Sequence, residues 1–434
     1  MLESIHLKNV GPAPAMKMDL APRLNLITGD NGLGKSFLLD VAWWTLTRTW
    51  AREVVIPKAG AKASISYQYT KKTPGSYAYT STYDAAAERW SVKQSRPPIP
   101  GLILYAQVDG GFSVWDPARN YWKDEAPNRP NSYLFKPHEV WEGTDFCEGL
   151  IRDWGSWQRE KSRAFELLSE VLKTLSPSED EPLAPGELKK LTASDPKRYP
   201  SLRMPYGEDV AVIHASAGMR RIIALAYLLI WTWEEHLASA KVRGEAPARE
   251  IIFVIDEIEA HLHPQWQRRI VPALLMVMDT LTKQHGSHVQ LIAATHSPLV
   301  LASAEPFFDA DDDAWFDLDL EDHDVMLRRR PYVRHGEVGN WLASEAFDLK
   351  EPRSLEGERA VVAAQDLMRR KDVSSDEVKA AHEALRAAGL SDIDRFWVRW
   401  GYFVEQRTAK PTDTRGRASA TRTASKQPNT RSKR

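Results

Sequence analysis

Hydrophobic positions change period several times along the chain, and each change marks an element. Residues 2–10 alternate, with Leu2, Ile5, Leu7 and Val10 apolar. Together with the apolar run at 24–28 they predict an opening antiparallel pair. Residues 37–44 then read as a helix. Beyond it, 63–70 and 77–83 are rich in Ser, Thr and Tyr and flank Thr73-Pro74-Gly75, which predicts a hairpin. A third such run, 101–107, precedes an aromatic, proline-punctuated stretch from 112 to 141. From 146 to 175 the spacing is helical, carried by Leu150, Ile151, Trp154, Trp157, Phe165, Leu168 and Val171. Apolar stripes of this kind bury, so the tryptophans are expected in a core rather than on a base-stacking surface. Prolines and charges break up 176–205, which is expected to be loop-rich.

The second half is more sharply patterned. Ser216-Ala217-Gly218-Met219-Arg220-Arg221 leads into an apolar helix over 222–233, and a polar linker at 241–249 leads to a buried-strand run at 251–255. Pro264 opens a helix to about 281, with Ile270, Leu274, Val277, Met278 and Leu281 inward and Pro272 as the expected kink. Residues 289–294 form the next strand, ending at Thr295-His296-Ser297-Pro298. Helical periods return at 341–349, 354–369 and 375–388, and an aromatic cluster at 396–403 ends the pattern. That cluster is expected either to dock a second protein or to pack against the rest of the fold. Strands alternating with helices give an α/β class.

Composition narrows the setting. The 434 residues are 43% hydrophobic and 27% charged, values of an ordinary soluble globular chain with room for a large core. The longest apolar run, 222–231, is well short of the roughly 18 residues that span a bilayer. The N-terminus lacks a basic stretch followed by an apolar block, so a signal peptide is not expected. A single cysteine, Cys147, excludes an intramolecular disulfide framework and fits a reducing, cytoplasmic setting with no membrane partner. The net charge of −1 hides an asymmetry. Residues 408–434 carry eight Lys or Arg against Asp413, so this tail is strongly basic and the rest of the chain acidic. The tail is expected to be disordered, and either to contact DNA or an acidic partner or simply to solubilise the end.

Candidate chemistry centres on Gly29-Asp30-Asn31-Gly32-Leu33-Gly34-Lys35-Ser36, set between an apolar strand and a helix. That context suits a phosphate-binding loop, in which curled backbone N–H groups and a helix N-terminus meet the anion. Lys35 would reach the β- and γ-phosphates, and the Ser36 hydroxyl would bind Mg²⁺. Asp256 and Glu257 follow a buried strand, where acids reach the mouth of a parallel sheet; the first can hold Mg²⁺ and the second can polarise water. His296 ends another such strand and can contact a γ-phosphate. Ser216 and Gly218 open a long helix and make a second anion site that one chain cannot easily turn onto its own phosphate loop. Pairing of two copies resolves this. Gln107, after the run at 101–107, is a candidate contact for Mg²⁺ and the attacking water.

These residues become recognisable as a set. Gly29 to Ser36, Ser216-Ala217-Gly218-Met219-Arg220, the Asp256-Glu257-Ile258-Glu259-Ala260-His261-Leu262-His263-Pro264 stretch and Thr295-His296-Ser297-Pro298 resemble the Walker A, signature, Walker B and switch-histidine motifs of ABC-type ATPases. The Walker B wording resembles the AAA-15/AAA-21 group, which includes RecF-like and OLD-family ATPases and anti-phage ATPases such as those of Septu and PARIS systems. The resemblance covers about 1–305. It implies an α/β, ABC-type P-loop NTPase head with an antiparallel β subdomain, an inserted helical lobe and a small C-terminal helical extension. The expected boundaries are 1–109 and 211–335 for the two parts of the head, 110–210 for the lobe, 336–407 for the extension and 408–434 for the tail.

The resemblance further implies ATP and Mg²⁺ as cofactors and a head-to-tail homodimer, or a higher homo-oligomer, with nucleotide at the interface. Lys35, Ser36, Asp256, Glu257 and His296 would act from one subunit and Ser216 and Gly218 from the other. Ala217 and Met219 depart from the usual signature wording. His261 and His263 belong to the structural turn after Walker B in this wording, so no metal is expected there. The expected role is ATP hydrolysis by the sensor or regulator half of a bacterial anti-phage system with a separately encoded effector, a nuclease or toxin. A RecF-like DNA maintenance ATPase and an OLD-like single-chain nuclease using Asp309, Asp311, Asp312, Asp313, Asp317 and Asp319 are the alternatives. A transporter subunit fits poorly, because it carries a different turn after Walker B.

Overall fold

The computed structural model describes residues 1–58, 60–70, 76–92, 101–120 and 130–408. The expected turn at 73–75 and all but the first residue of the expected basic tail lie outside the described residues. The chain divides into two compact units, Met1–Asp348 and Leu349–Arg434.

An eight-stranded sheet organises the first unit. Its order from edge to edge is Asp324–Arg330, Asp313–Glu321, Leu24–Gly29, His288–Ala294, Glu250–Ile255, Leu102–Ala106, Phe112–Trp115 and Tyr133–Phe135. The five strands from Asp313–Glu321 to Leu102–Ala106 run parallel, and the other three pair antiparallel at the edges. The central strands are buried on both faces, which is why they read as unbroken apolar runs. Leu26, Leu104, Phe253 and Leu291 face a core shared with the helices Leu150–Glu160, Arg163–Thr174, Ala217–Arg243 and Ile270–Thr282. Ile27, Ile103, Val254 and Ile292 face the opposite core, built with the helix Lys35–Thr47 and a second sheet.

That second sheet is antiparallel, in the order Ala15–Asp19, Leu2–Lys8, Ser64–Thr70, Ser76–Asp84, Arg89–Trp90. The opening pair is therefore Leu2–Lys8 with Ala15–Asp19, and not with 24–28 as expected. The residues at 24–28 do not alternate; a strand apolar on both faces goes to the middle of a parallel sheet. The run at 101–107 goes there too, beside Ile251, and not with the hairpin strands.

Two expected boundaries move. Phe112, Val114 and Phe135 extend the main sheet and face its core, so a boundary at 110 would cut the head's own sheet. Trp341 is fully buried in the first unit, 5.8 Å from the Trp315 ring and bonded through Nε1 to Glu305 at 2.7 Å, which carries this unit past 336 to 348. Pro272 makes no kink: the helix expected from 264 to 281 is two, Pro264–Gln267 and Ile270–Thr282. Pro272 lies in the first turn of the second helix, where its missing N–H has no intrahelical partner to lose.

The second unit packs the helices Leu355–Arg369, Ser375–Ala387 and Phe396–Thr408 around Val361, Leu385, Phe396, Trp400 and Phe403. Phe396, Trp400 and Phe403 of the aromatic cluster thus belong to that unit's own core, while Tyr402 is exposed. Among the described residues no helix is long and apolar enough to cross a membrane.

Candidate functional site

The strand Leu24–Gly29 delivers the chain to the C-terminal edge of the parallel sheet, where it turns tightly into the helix Lys35–Thr47. Gly29 holds φ +132°, and a Cβ there would lie 2.2 Å from the Leu318 carbonyl oxygen, so the turn requires glycine. Asp30, Asn31 and Gly32 are exposed, Leu33 is buried as the loop's anchor, and Ser36 is half-buried. Gly34 caps the helix without a side chain, so the first-turn amides carry no side-chain cap, the arrangement that receives anions. Lys35 is buried, and its Nζ donates to the carbonyls of Gly29 (2.6 Å) and Asp30 (2.9 Å). Desolvation draws its pKa down; the charges of Glu257 and Asp256 act the other way.

Asp256 and Glu257 leave the adjacent central strand Glu250–Ile255 at the same edge. Asp256 is fully buried, yet neither carboxylate oxygen has a hydrogen-bond partner. Its nearby cation is Arg52, whose Nη2 lies 3.5 Å from Oδ2. That same nitrogen donates to the Ser36 carbonyl (3.2 Å) and the Tyr105 hydroxyl (3.0 Å), while Arg52 Nε grips Asp40. Tyr105 in turn donates to Asp40 at 3.1 Å. One guanidinium thus ties the helix after the glycine loop to the strand that carries Asp256. A lone Asp40 in an apolar helix was the available signal for this network, since a buried carboxylate calls for a counter-ion. Burial lifts the Asp40 pKa, with Arg52 opposing.

Glu257 has φ +44°, an unusual backbone for a residue with a Cβ, and such strain concentrates at functional positions. His296 leaves the neighbouring strand His288–Ala294 and brings its Nε2 to 3.9 Å from Glu257 Oε1. Desolvation and then the Lys35 charge lower the His296 pKa, favouring the neutral ring at physiological pH. Residues 29–36, Asp256, Glu257 and His296 therefore meet at one sheet edge.

These observations describe a glycine turn at a helix start facing a buried acid that has one cation 3.5 Å away and no hydrogen-bond donor, and the sequence comparison decides the family. A family model described as "AAA domain, putative AbiEii toxin, Type IV TA system" matches residues 24–302. The chain belongs to the AAA_21 family. The match runs from the strand before the AAA_21 glycine loop to the helix after His296, enclosing every candidate residue for ATP and Mg²⁺ but not the acids at 309–319. Septu protein PtuA of Bacillus thuringiensis is 34% identical over 109 residues, 24% of this chain and 24% of that protein. A retron Vc95 probable ATPase of Vibrio cholerae serotype O1 biovar El Tor is 33% identical over 98 residues, 22% of this chain and 17% of that protein. The matched stretches thus span about a quarter or less of these relatives. Among solved structures, the SMC head domain from Thermotoga maritima has a TM-score of 0.40 at 15% identity, covering 76% of this chain and 99% of that one. The recombination mediator protein RecF has a TM-score of 0.37 at 12% identity, covering 76% and 98%.

Other expected residues of this AAA_21 chain sit apart from the glycine loop or are otherwise engaged. Gln107 follows the strand Leu102–Ala106 beside Asp256, but its Nε2 donates to Ser113 Oγ at 3.0 Å. Ser216 is exposed and caps the helix Ala217–Arg243, accepting from the Met219 N–H at 3.4 Å. Gly218 has an intramolecular reason to be glycine: a Cβ would lie 2.6 Å from the His261 carbonyl oxygen. Arg221, three residues on, donates to the carbonyls of Gln107, Val108, Asp256 and Glu257 at 3.0–3.3 Å. Nothing local in the sequence marks which of the two adjacent arginines, Arg220 or Arg221, turns inward. His261 and His263 are exposed in the turn that follows the strand Glu250–Ile255 and Asp256–Glu257. Asp313 and Asp317 are buried structural acids, the first paired with Arg23 and the second accepting from Thr28 at 2.8 Å. Among the described residues no cluster of three or more His, Cys, Asp or Glu is placed to hold a metal by itself.

Proposed function

We propose that this AAA_21 protein binds ATP with Mg²⁺ between residues 29–36 and the Asp256–Glu257 turn and hydrolyses it. The observation that carries this reading is Asp256. Burying a carboxylate with no hydrogen-bond donor, and with only Arg52 3.5 Å from one of its oxygens, is costly unless a further cation completes the site. The donor set suits Mg²⁺, a hard ion that takes one or two protein oxygens and fills its shell with water and phosphate. Asp256 and the Ser36 hydroxyl would hold it, and Gln107 would join after exchanging its bond to Ser113. Bound there, the ion neutralises charge developing on the phosphates. The amides of 29–34 and of the first helical turn cradle the β-phosphate, and Lys35 leaves two carbonyls to reach the β- and γ-phosphates. Glu257 orients a water and accepts its proton, and neutral His296 donates toward the γ-phosphate.

The exposed Ser216 and the helix start behind it serve the nucleotide of a second copy, which makes a head-to-tail homodimer the working form. Local similarity to a Septu protein and a retron ATPase supports a regulatory role in anti-phage defence, with a separately encoded effector. Two measurements test the reading. Glu257→Gln is expected to keep ATP binding and to lower turnover by more than about a hundredfold; unchanged turnover would remove Glu257 from its role. In cells, the locus carrying Lys35→Ala is expected to lose protection in a phage plaque assay; full protection would separate defence from ATP binding.

A further inference from the structure

Asp256 and Glu257 have roles above, but the third acid of the same turn, Glu259, has none. Its carboxylate reaches across to the strand end that carries His296. There it accepts from Thr295 Oγ1 at 2.7 Å and from the backbone N–H of His296 itself. Thr295 Oγ1, held by this donation, accepts from the Ser297 N–H at 3.0 Å. On the far side of His296, Ser297 Oγ donates to Gln267 Oε1 at 2.7 Å. Nearby, the Ile258 N–H donates to the Ala294 carbonyl at 3.1 Å. The backbone on both sides of His296 is thus clamped to the turn 256–267, while its ring stays free to face Glu257 3.9 Å away. Only Glu259 grips the histidine's own peptide from that turn with a side chain, and a carboxylate accepting an N–H makes a stronger, more directional bond than a neutral acceptor.

We propose that Glu259 is a positioning residue for hydrolysis: by holding the His296 N–H and the Thr295 hydroxyl, it sets the His296 ring against Glu257 and the γ-phosphate. The inference rests on the reading that Glu257 and His296 serve ATP hydrolysis. It explains why the turn carries three acids although two suffice for metal and water. The hydrogen bonds of the clasp go to Thr295 and His296 and not to the glycine loop or Asp256, so its loss acts chiefly on turnover and little on nucleotide affinity.

A double-mutant cycle on the full chain tests it, with turnover, fluorescent-ATP binding and thermal unfolding as readouts. Glu259→Ala is expected to lower kcat at least about tenfold with ATP affinity within about threefold of wild type. Glu259→Gln, whose carbonyl can take the His296 N–H and whose amide can face Thr295 Oγ1, is expected to recover most of that loss. In a His296→Ala background, Glu259→Ala is expected to have no further effect on kcat, a non-additivity that general loss of stability does not produce. Fully additive losses, or wild-type turnover by Glu259→Ala, would overturn the proposal while leaving the ATPase reading standing. If Glu257→Gln turned over like wild type, the ATPase reading would fail first and this inference with it.

Discussion

Asp256 combines two properties that ordinary core residues avoid: complete burial and no hydrogen-bond donor. Such a side chain destabilises the unliganded fold, and the cost is retained at sites that bind a cation. Asp256→Asn relieves the buried charge but gives up the attraction of Arg52, so it is expected to leave the stability of the nucleotide-free protein within about 1 kcal/mol while abolishing Mg²⁺-dependent turnover. Urea denaturation beside an ATPase assay checks both; a destabilised, active variant would contradict the assignment. A second, half-buried acid gives a pH dependence. Burial pushes the Asp153 carboxyl up from 3.8 to about 6, only partly offset by the Tyr227 hydroxyl that donates to it at 2.6 Å. The folded chain then holds this proton more tightly than the unfolded chain, so the group's contribution to stability falls as pH rises from about 4 to about 6. Asp153→Asn is expected to remove that fall and to add about 1 kcal/mol at neutral pH, solvent screening included. Denaturation near pH 5 and near neutrality reads the difference. At this scale the glycine loop, Asp256, Glu257 and His296 were legible because each sits in a short, strand-bounded motif. Arg52, Asp40 and Tyr105 were not, because their contact joins segments up to 65 residues apart and no local pattern encodes it.

Elements were legible where burial imposes a period. The central strands announced themselves as continuous apolar runs, and the helices at 150–174 by their stripes. Which sheet a strand joins was less so: the partner of Leu2–Lys8 is chosen by a short hairpin at 9–14, while 24–28 is drawn to the parallel sheet by its two apolar faces. The helix Ala217–Arg243 shows the same division. Its start is expected as an anion site, but Gly218 also lets the helix approach the turn that carries His261, with no room for a Cβ against the His261 carbonyl. Gly218→Ala is expected to destabilise the head by about 1–3 kcal/mol, the cost of forcing backbone apart. Thermal or urea unfolding measures it, and a neutral effect would show that the helix and turn can separate freely.

For the whole molecule, the family match spans residues that one sheet edge gathers. Residues 29–36, Asp256, Glu257 and His296 come together within one chain, whereas Ser216 is exposed and capped on its own helix. In the proposed dimer a second copy completes the site, and complementation between two disabled chains tests this most directly. Lys35→Ala removes the phosphate contact on one side, and Ser216→Arg blocks the helix start on the other, so each homodimer has no intact site. Mixing equal amounts, with subunit exchange, places one intact site in each heterodimer, and ATP turnover is expected to rise to about a quarter of wild type. A mixture no more active than its parents, from a wild-type chain that hydrolyses ATP, would contradict a site shared between subunits.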